Sequence, residues 1–89
     1  MRHVYLKIFV GDIEEITVYG TRKRAKDALR KDMEKILNDE QLAFSEEEKQ
    51  NHRKVFNKTS SFALPYLPGY DNNDNDYIQY GEIRIETVY

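Results

Sequence analysis

Oxygen-bearing side chains follow one another through Asp71-Asn72-Asn73-Asp74-Asn75-Asp76, and Glu82 adds a further carboxylate six residues on. Asp71, Asn73 and Asn75 take the first, third and fifth places of a twelve-residue run that ends at Glu82, with Ile78 at the eighth. That spacing suits a hard cation, which takes roughly six to eight oxygen ligands from a sharply turning loop. A second group, Arg22, Lys23, Arg24 and Lys26 with Arg30 and Lys31, has the charge to meet phosphates or an acidic partner. Seven tyrosines form a third supply of contact chemistry, and Tyr66, Tyr70, Tyr77 and Tyr80 flank the acidic run. Other chemistries lack their parts. His3 and His52 stand far apart with no acid or serine at a catalytic spacing, and Ser60 and Ser61 lie in no nucleophile elbow. Glycines occur singly at 11, 20, 69 and 81, so no phosphate-cradling loop is present.

The acidic run resembles an EF-hand calcium loop, and the resemblance covers those twelve residues alone. Where that family turns on an invariant glycine at the sixth place, this chain has Asp76. Pro68-Gly69-Tyr70 cannot be an entering helix, and Glu82 to Tyr89 has the pattern of a strand. The segment therefore reads as an acidic hairpin loop, with no metal or cofactor expected and calcium titration as its test.

The basic group crowds the first turn of a helix, where the dipole disfavours cations. Nucleic-acid binding through Arg22, Lys23, Arg24, Lys26, Arg30 and Lys31 is the alternative functional reading. Against it stand the acidic whole-chain balance and the interleaved Asp27, Asp32 and Glu34. The tyrosines carry the preferred one. One small core cannot enclose all seven, and tyrosine gives rigid contact area with a polar tip. Tyr66, Tyr70, Asp71, Asp74, Asp76, Tyr77 and Tyr80 are the expected protein-binding surface.

These groups must be positioned by few elements. Val4, Leu6, Ile8 and Val10 alternate with His3, Tyr5, Lys7 and Phe9 as in a strand, Gly11-Asp12 supplies a tight turn, and Ile16-Thr17-Val18-Tyr19 resumes the β pattern. Gly20 stops it and Thr21 caps a helix over 22–37, whose Ala25, Ala28, Leu29, Met33, Ile36 and Leu37 form one apolar stripe. Ser45 with Glu48 matches a capping box and predicts a second helix, with only Val55, Phe56 and part of His52 to bury, hence peripheral. Phe62, Leu64 and Tyr66 alternate as a third strand that Pro65 confines to an edge. The fourth spans Tyr77 to Tyr89, and a bulge at Gly81 is expected to reconcile the opposite parities of Ile78 and Tyr80 and of Ile83 and Ile85.

The 89 residues make one domain with one modest core. Cysteine is absent, which excludes disulfides and thiolate zinc sites, and no window nears the apolar length of a membrane span. The N-terminus lacks the apolar core of a signal peptide, so a cytoplasmic location is the default expectation. Residues 1–36 carry nine Lys/Arg against six Asp/Glu and residues 37–89 carry five against ten, an asymmetry that complementary neighbouring faces would explain.

The reading is a single α+β domain over 1–89, β-β-α-(α)-β-β, with a mainly antiparallel four-stranded sheet covered on one face by the helix 22–37. Tyr5 and Phe9 are expected on the uncovered face, there to meet the second helix, a second copy or a target protein. Compact, acidic, cysteine-free chains of this kind resemble in style the small accessory or inhibitor proteins of phages and other mobile elements. The expected function is non-enzymatic: binding to a larger protein, with homodimerisation through the open sheet face or an edge as a further expectation.

Overall fold

The computed structural model describes residues 2–11, 13–65 and 78–88. Its elements run β1 (Arg2–Val10), β2 (Glu14–Tyr19), α1 (Arg22–Leu37), α2 (Glu46–Thr59), β3 (Phe62–Pro65) and β4 (Ile78–Val88). The strands make one antiparallel sheet in the order β2-β1-β4-β3, a small α+β fold. Pro65 ends β3, which pairs with β4 alone and so lies at an edge, where a missing backbone donor is tolerated.

Local chemistry sets both helix starts. Thr21 Oγ1 accepts from the Arg24 backbone N–H at 3.2 Å. Ser45 and Glu48 make the reciprocal pair of a capping box, at 3.1 and 3.0 Å. Each arrangement satisfies N–H groups that the first helical turn leaves without an intrahelical partner. Leu29, Met33, Ile36 and Leu37 of α1 join Phe56 of α2 and Phe62 and Leu64 of β3 in one buried cluster, with Phe9 and Ile83 packed against it. Both helices thus lie on the same face of the sheet. The second helix is peripheral in position, beside β3, yet Phe56 is fully buried and Val55 faces solvent.

Two expectations are corrected. Tyr5 and Phe9 do not lie on the open face. Phe9 packs into the core and Lys7, of the same parity, donates to Asp32 of α1 at 2.7 Å. The helices therefore cover the Tyr5, Lys7, Phe9 row and leave Val4, Leu6, Ile8 and Val10 on the other side. The reason lies in β4, which pairs with β1 throughout. Its Gly81, Ile83 and Ile85 share the helix side, whereas Glu82, Arg84 and Glu86 share the other, and burying three charged side chains beneath helices would cost more than the aliphatic row returns.

Gly81 is no bulge, since pairing runs without interruption from Arg2↔Val88 to Val10↔Tyr80. It is glycine because Phe62, its register partner on β3, and Leu29 of α1 already occupy the space above its backbone. A Cβ there would meet Phe62 ring atoms at 2.7 and 2.9 Å and collide with the Leu29 Cδ1 methyl.

Candidate functional site

Among the described residues, no helix covers the sheet face opposite α1 and α2. On it β1 contributes Val4, Leu6, Ile8 and Val10, and β2 contributes Ile16 and Val18, because paired residues of antiparallel strands project to one side. Ile8 stands opposite Ile16, and Leu6 opposite Val18. The two outer side chains remain 54% and 60% exposed, while Ile8 between its neighbours falls to 5%. The aliphatic stripe therefore has a closely packed centre and an open flank.

Its other border is polar. Arg84 lies opposite Leu6 and Glu82 opposite Ile8, and the Arg84 guanidinium donates to Glu82 Oε1 at 2.8 Å. Tyr80, opposite Val10, is 41% exposed at the end of this row. No helix lies on this side among the described residues. The face thus sets an apolar stripe beside a rim of mixed charge and one tyrosine.

The expected protein-binding residues divide here. Tyr80 is on this face; Tyr66, Tyr70, Asp71, Asp74, Asp76 and Tyr77 lie outside the described residues, as does most of the loop with EF-hand spacing. Its last two places with acidic or apolar side chains, Ile78 and Glu82, belong to a strand where that family has a helix. Among the described residues no group of three or more potential metal-ligating side chains is gathered.

The basic group of α1 is largely turned to internal use. Lys26 Nζ donates to the Asn57 carbonyl at 3.0 Å, and Arg30 donates to Asp27 at 3.0 Å and to the Asn57 side chain at 3.2 Å. Both cations also stand over the Phe56 ring, 5.7 and 5.5 Å from its centroid. They shield the ring that pins α2, a cation–π contact. Arg22 donates to Ser60 Oγ at 3.3 Å and Lys23 to Asp27 at 3.1 Å. The Lys23 hydrogen bond, aided by the charges of Lys23 and Arg30, holds the Asp27 carboxyl below its usual range. Arg24 and Lys31 make no ion pair with another described residue.

Arg24 and Lys31 line, with Lys7, Tyr19, Asp27 and Lys35 among others, an open groove of about 550 Å³ between α1 and β2. Farther along, Arg53 of α2 grips both carboxylate oxygens of Glu34 at 2.7 to 3.0 Å, which raises the guanidinium's already high pKa. The ion pair that joins the two halves of the chain here takes its acid, Glu34, from the net-basic half and its cation, Arg53, from the net-acidic one, so it does not carry the complementarity expected from the charge division. Sequence reasoning missed the Lys7–Asp32 pair and the exposure of the aliphatic stripe; the alternating charges of β4 were the signal for both. No described helix is long and apolar enough to cross a membrane.

Comparison of the chain with protein-family models, with curated proteins and with solved structures gives no match.

Proposed function

We propose that this protein is a small, non-enzymatic recognition module of the accessory or inhibitor kind, which binds a larger protein through the uncovered face of its sheet. The observation that carries the reading is the aliphatic stripe itself, with Ile16 and Val18 more than half exposed beside Leu6 and Ile8. Covering such side chains is worth roughly 1 kcal/mol each for the half still in water, by the scale of about 25 cal/mol per Å². The partner that fits presents an apolar ridge to the stripe and polar groups to the Glu82, Arg84 and Glu86 row. Tyr80 is the member of the tyrosine-rich surface that stands on this face, and the proposal needs none of the loop residues. The nucleic-acid reading draws less support, because four of its six cations are engaged within the fold.

The test is capture from extract of the source cell with three immobilised forms: the unaltered chain, the double variant Val18→Glu with Tyr80→Glu, and a control reversing Lys31 and Lys35 to Glu. A specific protein retained by the first and third but lost by the second supports face recognition. Retention unaffected by the face variant, or lost only in the control, refutes it.

A further inference from the structure

We propose that β2 pairs, edge to edge and antiparallel, with β2 of a second copy of this chain about a two-fold axis near Thr17, extending both sheets into one. This goes beyond the face reading above and does not depend on it.

The two outer strands of the sheet are not equivalent. β3 has four residues and ends in Pro65, features that blunt an edge. β2 has six residues, carries neither proline nor lysine, and centres on the β-branched run Ile16-Thr17-Val18. One row of its backbone N–H and C=O groups faces away from β1, and α1 lies chiefly over β1 and β4 rather than above it.

Charge selects the occupant. Glu14 and Glu15 open the strand, and Arg24 follows its end by one helical turn; none of these makes an ion pair with another described residue. With Thr17 opposite Thr17, Ile16 faces Val18 of the second copy, a β-branched cross-strand pair. Glu15 then faces Tyr19 of the second copy, and Tyr19 shares its groove with Arg24. Two symmetry-related Glu15–Arg24 attractions result. A parallel pairing would instead bring like ends together, so the strand is self-complementary in one direction only.

Sedimentation of the full chain between about 5 and 500 µM, where a modest interface dissociates, is expected to show a monomer–dimer equilibrium. Glu15→Arg and Arg24→Glu should each weaken it about tenfold, by turning two exposed attractions into repulsions, and the double reversal should restore it to within about threefold. In the unaltered chain, β2 amides should exchange more slowly as concentration rises, a readout that requires no variant. A monomer throughout with unchanged β2 exchange overturns the proposal. So does a dimer indifferent to both reversals. A dimer lost on Tyr80→Glu but not on Glu15→Arg places the contact on the open face, overturning the edge pairing and leaving face recognition standing. A monomer whose β2 amides are protected only by added glutamate-rich peptide replaces the second copy with an acidic strand.

Discussion

At Gly81 two side chains converge on a point where a third would not fit. Phe62 closes over the bare backbone from the neighbouring strand and Leu29 meets it there from α1. Gly81→Ala should therefore destabilise the fold by about 1 to 3 kcal/mol through overpacking, read as a lower urea midpoint with an unchanged slope. Lys7 poses the opposite problem, a cation whose side chain is only 11% exposed and whose charge is answered by Asp32 at 2.7 Å. Asp32→Ala leaves that ammonium unanswered and should cost roughly 2 kcal/mol, less than for a fully buried pair because Asp32 retains some water. Lys7→Met with Asp32→Leu removes both charges together and should return most of the loss in thermal denaturation. A single and double variant of equal stability would show that the unanswered ammonium carries no penalty of its own.

The second helix depends on its start and on one ring. Ser45→Ala removes the cap and should cost about 1 kcal/mol. The Ser45 backbone N–H, with the hydroxyl as a second influence, holds the Glu48 carboxyl below its ordinary value of 4.5. Because this group ionises more readily in the folded chain, the stability it contributes is complete above that value and is lost as pH falls through the folded pKa. Glu48→Gln should therefore flatten the acid limb of a stability profile below about pH 5 while leaving its shape near neutrality unchanged. Phe56 is the ring that joins α2 to the core, touching Phe62 with centroids 6.5 Å apart beneath Lys26 and Arg30. Phe56→Ala should cost about 3 to 5 kcal/mol, and hydrogen exchange should show α2 losing protection ahead of α1. Uniform loss across both helices would mean that they form one cooperative unit.

Among the described residues, two helices crowd one side of a four-stranded sheet while Val4, Leu6, Ile8, Val10, Ile16 and Val18 stand on the other. Val18→Glu with Tyr80→Glu alters exposed positions and should change stability by no more than about 0.5 kcal/mol per site, while lowering binding of a hydrophobic dye. A large loss of stability would mean that the face is part of the folded core. The sequence alone determined every element and the bounds of α1, because caps, β-branched runs and the three-and-four spacing of Leu29, Met33 and Ile36 act between near neighbours. It also placed β3 at an edge, since Pro65 lacks a donor. Which side of the sheet the helices would cover, why residue 81 is glycine, and how deeply Phe56 is seated were decided by tertiary structure. Both rows of β1 are apolar enough to be buried, and the choice between them is made by the charges that β4 brings alongside and by the space that Gly81 leaves for Leu29. The alternation of charge in β4 is a local pattern, but its placement beside β1, and that of Leu29 beside Gly81, are contacts between residues far apart in the chain.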